Sequence, residues 1–323
     1  MNKRITQRQI AKIAGVDVST VSLSLNQHPR IPEKTRERIR AIATELGYRP
    51  DPALSSIAAS RWSSRTSESG VVLGFVVDQF STAEPELKLY EEGVGLQAQT
   101  LGYRHDIFSL SEYPSVESLQ RAIRARGIRG LVVGQSRNTL PLDLFTSTSI
   151  PIVHCGFLND VPCDVVCPDL RLAVTQLIES LLEEQGPVQC MLPIEGELSS
   201  DLLILGSALA VQARHGSDLV RIRRVNAELH AEEVRRITYD RGCPLVTIND
   251  RHAAWLSDQG FGPEAEIHRL HCLPPHPGKQ GMDLRLVDTG RASVNLLELK
   301  LRHQPLAQES FRQTLRVAPQ RVK

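Results

Sequence analysis

Apolar side chains change their spacing twice along this chain. Over the first thirteen residues Ile10, Ile13 and Ala14 recur at helical spacing and Thr6 stands where a cap belongs, predicting one short amphipathic helix. Ala14-Gly15-Val16-Asp17 predicts a tight turn, with Gly15 free to take positive φ and Asp17 placed to cap the next helix. That second short helix, Val18–Asn26, turns Val21 and Leu25 inward and leaves Val18, Ser19, Ser22 and Leu23 outside. Pro32 opens a third helix whose buried stripe is Thr35, Ile39, Ile42 and Leu46, and Gly47 stops it. Between 48 and 69 the pattern dissolves: Tyr48-Arg49-Pro50-Asp51-Pro52 is stiff, Ala53–Ser60 short and potentially helical, and Ser63–Ser69 a polar connector.

From Val71 onward the texture is α/β. The run VVLGFVV has no polar alternation and predicts a parallel strand buried on both faces. Similar runs recur at Gly130–Val133, Ile150–Cys155, Val188–Leu192 and Leu245–Ile248, with helical patterns between them. The clearest helix is Asp169 to Gly186: Asp169 caps it, Val174, Leu177, Ile178, Leu181 and Leu182 form one face, and Gly186 ends it. From Leu273 the tail is irregular until a helix near Ala292–Leu301. The fold class is α/β, an all-α head followed by a parallel-sheet body. The expected domains are a helix-turn-helix head over 1–49, a linker over 50–69, and a two-lobed body over 70–323 with a ligand cleft between lobes.

Composition adds little until it is divided. The whole chain, 41% hydrophobic and 23% charged, has a formal charge of +1. Residues 1–65 hold twelve Lys/Arg against five Asp/Glu, and the remainder 26 against 32. A basic head on an acidic body is the asymmetry expected when only the head meets a polyanion. The first residues, MNKRITQRQ, lack the apolar core of a secretory signal, and no apolar run is long enough to span a bilayer, so we expect a cytoplasmic protein without a membrane partner. The six cysteines read as reduced, buried small residues.

In a helix-turn-helix unit the second helix lies in the major groove, and its first turns need small or polar outward residues. Ser19, Thr20 and Ser22 supply hydroxyls there. Ile10-Ala11-Lys12-Ile13-Ala14-Gly15-Val16-Asp17-Val18-Ser19-Thr20-Val21-Ser22, then Leu25-Asn26, Thr35-Arg36-Glu37-Arg38-Ile39 and Leu46-Gly47-Tyr48-Arg49-Pro50, resembles the headpiece of the lactose-repressor (LacI) family. More loosely, Gly93, Leu101-Gly102-Tyr103, Ile128–Val133, Ile150–Val153 and Ile248-Asn249-Asp250 resemble that family's periplasmic-binding-protein-like core. The resemblance implies a sequence-specific DNA-binding transcription regulator, a repressor and not an enzyme, that holds a near-palindromic operator as a homodimer, answers to a small-molecule effector related to carbohydrates, and needs no cofactor or metal. It implies that Val18 and Ser19 read bases and that Thr6, Thr20, Ser22, Asn26 and Tyr48 belong to the DNA-contacting set. The family's hinge helix matches Asp51–Ala59, where Leu54 joins the set and Ile57 takes the place of the leucine that wedges into the minor groove.

Two departures stand out. Leu23 replaces a base-reading arginine, which changes the expected operator, since an arginine–guanine contact is worth about 1–3 kcal/mol of discrimination. In the second lobe, Leu203 stands where the family often has a sugar-gripping arginine, and Ser207 where it has an aromatic. Asp250 closes the Leu245–Ile248 strand, a position that suits hydroxyl binding in a cleft or a cap on the following helix. Gln79, after the first strand, is a weaker effector candidate. The effector is then less polar or unusual, or sensing has been lost.

Other signals fail on context. Gly93-Val94-Gly95-Leu96-Gln97-Ala98 fits a dinucleotide fingerprint but lies inside a helical run, so it reads as helix packing. Gly278-Lys279-Gln280 lacks the rest of a phosphate loop. Cys163 and Cys167, and His268, His271, Cys272 and His276, lack zinc spacing and read as structural cysteines and solvated histidines. A secreted solute-binding protein explains only the body, and a sugar- or nucleotide-modifying enzyme lacks a catalytic motif.

Overall fold

The structure, a computed structural model, describes residues 5–25, 31–46, 71–78, 85–135, 143–144, 150–157, 161–193, 199–225, 240, 242–302 and 312–323. Three helices form the head, α1 (Gln7–Ala14), α2 (Val18–Leu25) and α3 (Glu33–Glu45). Their shared core is Ile10, Ala11, Ala14, Val21, Ile39 and Ala43, ringed by the half-buried Ile5, Val16, Leu25, Ile42 and Leu46. Ile13, expected inside, is 58% exposed, and Ala11 is buried instead. In α3 the tight contacts fall on Ile39 and Ala43, because only small Ala43 fits where three helices converge. Thr35, Ile42 and Leu46 are left half-buried at the margin.

The body has two lobes, each built on a six-stranded sheet. The first sheet contains β1 (Val72–Val77), β2 (Arg104–Ser109), β3 (Ile128–Gly134), β4 (Ile152–Cys155), β5 (Asp164–Pro168) and β11 (Thr314–Val317), in the order β11-β5-β4-β3-β1-β2. All its pairings are parallel. Every residue of β1 is buried, as a strand covered on both faces requires. Helices α4 (Pro85–Thr100) and α5 (Val116–Ala125) connect the early strands. Ser115 caps α5, accepting the Ser118 N–H at 3.3 Å.

The second sheet contains β6 (Val188–Pro193), β7 (Val220–Val225), β8 (Leu245–Asn249), β9 (Ile267–His271), β10 (Gln280–Asp283) and β12 (Gln320–Val322), in the order β12-β10-β9-β8-β6-β7. It is parallel except for β12, which runs against β10. Helices α6 (Leu170–Gln185), α7 (Ser199–His215) and α8 (Asp250–Asp258) belong to this lobe. As expected, Asp169 caps α6, accepting the Leu172 N–H at 3.0 Å, and Gly186 ends it at φ 89°.

The chain passes between the lobes three times: β5 into α6, β10 into α9 (Leu286–Arg302), and β11 into β12. Helix α9 returns to the first lobe and packs along α4. Two glycines set how close they come. A Cβ on Gly93 would overlap the Val287 carbonyl, and one on Gly290 the Tyr90 carbonyl. Gly93 is thus a helix-packing residue, as its place inside a helical run suggests. All six cysteines are free, four of them buried. His268 and His271 are not solvated as expected: both lie buried in β9.

Candidate functional site

The local geometry of the head begins at Thr6, the N-cap of α1. The Thr6 N–H donates to Gln9 Oε1 at 2.8 Å, one arm of a capping box. Gly15 ends the helix in the left-handed region, φ 66°, and the Val16 N–H reaches back to the Ala11 carbonyl at 3.1 Å. Arg38 of α3 donates to the Ala14 carbonyl at 2.9 Å, placing a cation where the α1 dipole is negative. The turn is therefore fixed at three points, and α2 starts immediately beyond it, with the Val21 N–H donating to the Asp17 carbonyl at 3.1 Å.

Val21 and Ser24 are fully buried on the inner side of α2. Val18, at its first position, is 36% exposed, while Thr20 and Leu23 are half-buried; Leu23 is less outward than expected. Ser19 and Ser22 lie in the first two turns of α2, and Thr6 is exposed beside α1. The structure thus brings Thr6, Val18, Ser19, Thr20, Ser22 and Leu23 onto one short α1–turn–α2 unit. Asn26, Tyr48, Leu54 and Ile57, like Gln79, lie outside the described residues.

Between the lobes, an open cleft of about 440 Å³ lies where the ends of β5 and β11 meet the first turns of α7. Phe157, Cys167, Pro168, Leu170 and Leu203 line it with apolar surface; Asp169, Arg171, Ser200 and Arg316 supply its polar groups. Leu203 therefore does face a cleft, and the apolar character expected from its identity is there.

Asp250 is not part of that cleft. Its Oδ1 lies 2.6 Å from Arg269 Nε, and its Oδ2 2.9 Å from Lys279 Nζ. Arg269, only 1% exposed, also donates to the Ile267 carbonyl at 2.6 Å and to Glu264 Oε1 at 3.0 Å. The Lys279 ammonium is held further by the Leu273 carbonyl at 3.0 Å. Nor is Asp250 the helix cap: Asn249 takes that role, its Oδ1 accepting the His252 N–H at 3.1 Å. Around this cluster, burial pushes the His252, His268 and His271 imidazoles down to about 4. Sequence reasoning misses Arg269 and Lys279. The available signal is an arginine inside the short run Ile267-His268-Arg269-Leu270-His271, which a buried strand tolerates only with internal acids. Among the described residues no group of three His, Cys, Asp or Glu is placed to hold a metal ion.

A compact helix-turn-helix head on a two-lobed, three-crossover α/β body defines the class: a DNA-binding head joined to a core of the periplasmic-binding-protein-like kind. Residues 6–51 match the family described as "Bacterial regulatory proteins, lacI family", and the head is a LacI-family helix-turn-helix domain. The chain is 26% identical over 161 residues to catabolite control protein B of Bacillus subtilis (strain 168), 50% of this chain and 48% of that one. It is 30% identical over 189 residues to the maltose regulon regulatory protein MalI of Escherichia coli (strain K12), 56% and 51% of the two chains. The matches thus span about half the length of these relatives. Among solved structures, the Lac repressor bound to ONPG superposes over 99% of both chains with a TM-score of 0.57 at 18% identity. The trehalose repressor from Escherichia coli covers 78% of this chain and 99% of its own, with a TM-score of 0.59 at 14% identity. These similarities establish the fold of the body.

Proposed function

We propose that the chain is a transcription regulator that grips a near-palindromic DNA site as a homodimer and is controlled by a small molecule bound between its lobes. We read it as a cytoplasmic repressor acting by binding, not catalysis. The observation that carries this reading is the α1–Gly15 turn–α2 unit, fixed by the capping box and by Arg38, within the segment that matches the LacI family. Val18 and Ser19 enter the groove first, Thr20 and Ser22 reach bases or phosphates, and Leu23 is available for a thymine methyl. Thr6, Asn26 and Tyr48 hold the backbone, and Leu54 and Ile57 act from the hinge over 50–69, between the head (1–49) and the effector-binding body (70–323).

The effector assignment is narrower than the relatives' names suggest. The relatives include sucrose and ribose operon repressors, and one solved neighbour is a cellobiose complex. Here the Asp250 carboxylate is already satisfied by Arg269 and Lys279, and Leu203 offers the cleft no donor. These features favour a ligand less polar than a free sugar, or a cleft that senses no sugar, with Leu203 in contact and Asp250 and Gln79 secondary.

The test is selection of sites from a random duplex library by the full-length protein at near-physiological salt. A two-fold symmetric site, weakened by Ser19→Ala, supports the reading. Sequence-blind binding that Ser19→Ala leaves unchanged refutes it.

A further inference from the structure

Helix α7 carries apolar side chains on the wrong side. Its inner face is filled by Ile204, Ala208 and Val211, which pack on Val188, Cys190 and Leu192 of β6 and on α6. Its outer face should then be polar. Instead Leu202 is 58%, Leu203 42% and Leu209 45% exposed, with Gly206, Ala210 and Ala213 exposed between and beside them. Single exposed leucines are ordinary; a contiguous row along one helix marks an interaction surface.

The row has an internal order. Leu202, Gly206, Leu209 and Ala213 succeed one another at steps of four, three and four, the alternation of a helix–helix seam. Two copies of α7 laid antiparallel about a two-fold axis, midway between Gly206 and Leu209, set Leu202 against Ala213 of the other copy and Gly206 against Leu209. Each layer then pairs a large residue with a small one, as interdigitated packing needs. Nothing lies within 4 Å of where a Gly206 Cβ would be, so the hollow for the facing leucine is open. Charge fits the same direction: Asp201 is in the first turn, and Arg214 and His215 are in the last. Antiparallel packing places the acidic end of one helix beside the basic end of the other, and opposes the helix dipoles. A parallel pair would stack like charges.

We propose that the outer face of α7 is a homotypic contact, in which two copies of this chain pair their α7 helices antiparallel across a two-fold axis. The surface is distinct from the opposite side of the sheet, where Met191 of β6 packs with Ala253 and Leu256 of α8. Using it leaves the α8 side free for another contact.

The experiment is sedimentation velocity of the full-length protein over a concentration series, compared with Leu209→Lys. The expected result is a wild type that associates with rising concentration and a variant whose assembly mass is halved, with an unchanged melting temperature because residue 209 is exposed in the single chain. A monomeric wild type, or a variant that keeps the wild-type mass, overturns the proposal. Register is read separately by oxidising the Leu202→Cys/Ala213→Cys double variant, with the unsubstituted chain as control. It should form an interchain disulfide, while Leu202→Cys alone should not. In the antiparallel register two copies of residue 202 lie about 16 Å apart along the axis, too far for a disulfide. Cross-linking of Leu202→Cys alone to the same extent as the double variant would show a parallel pair and overturn the register.

Discussion

Three imidazoles in the second lobe are buried neutral, and that has a sign. The folded pKa values of His252, His268 and His271 are pushed down to about 4 from 6.5, chiefly by desolvation. Above 6.5 neither folded nor unfolded chain binds the proton, and the three groups cost nothing. As pH falls from 6.5 toward about 4, the unfolded chain takes up protons that the folded chain refuses, so stability is lost at up to about 1.4 kcal/mol per pH unit per group. The melting temperature should therefore fall between pH 7 and pH 5, and His271→Gln should flatten that fall; a pH-independent melt would refute the burial argument. Asp250 gives the second test at this scale. Asp250→Asn preserves shape but removes one of the two carboxylates facing Arg269, which is 1% exposed, and the one facing Lys279. Urea denaturation should show a loss of about 1–3 kcal/mol, less than for a fully orphaned buried charge because Glu264 remains. An unchanged midpoint would mean that the pair does not stabilise the lobe, and Asp250 would return as a candidate for ligand hydroxyls.

At the scale of elements, two glycines on helices should answer the same substitution with opposite signs. Gly93→Ala drives a methyl into the Val287 carbonyl where α4 and α9 cross, and backbone cannot move aside as a side chain can. It should cost about 1–3 kcal/mol or more. Gly206→Ala in α7 meets open space and should gain about 0.5–1 kcal/mol from helix propensity, measured by thermal melts at low protein concentration. Equal effects would mean that the α4–α9 contact is looser than described. The same elements show how far the sequence can be read. Strands β1, β3, β4, β6 and β8 are legible because both faces are covered and their residues are apolar almost throughout. Strands β2 and β7 are not: each is the outermost strand of its sheet, so RHDIFS and VRIRRV carry charges toward solvent. Strand β9 is internal, yet IHRLH hides its character because Arg269 is matched by Asp250 and Glu264, partners that local pattern cannot supply. The turn at Gly15 and the caps at Thr6 and Asp169 are legible, since those signals are local in sequence and local in space. Leu203 is legible as a cleft residue through a family resemblance, while the capture of Asp250 by Lys279, 29 residues away, is beyond any local signal.

At the scale of the molecule, charge divides as the fold does. The basic excess of residues 1–65 sits at one end of the chain, and the acidic excess belongs to the body. If the head alone meets DNA, affinity must come largely from displaced counterions, and log affinity should fall linearly with log salt. For a dimer making roughly 6–10 phosphate contacts, the loss between 50 and 200 mM salt is about 10³–10⁵-fold. Base contacts release few counterions, so Val18→Ala should lower affinity for a selected site while leaving the salt slope unchanged. Lys12→Ala, which removes an exposed cation from α1, tests the other term: any change it makes should be a shallower slope, alike for selected and random duplexes. Fluorescence anisotropy with the full-length protein on both kinds of duplex separates the two. A slope near zero on the selected site would mean that the basic head does not lie along the phosphates, and the division of charge would then need another explanation than DNA.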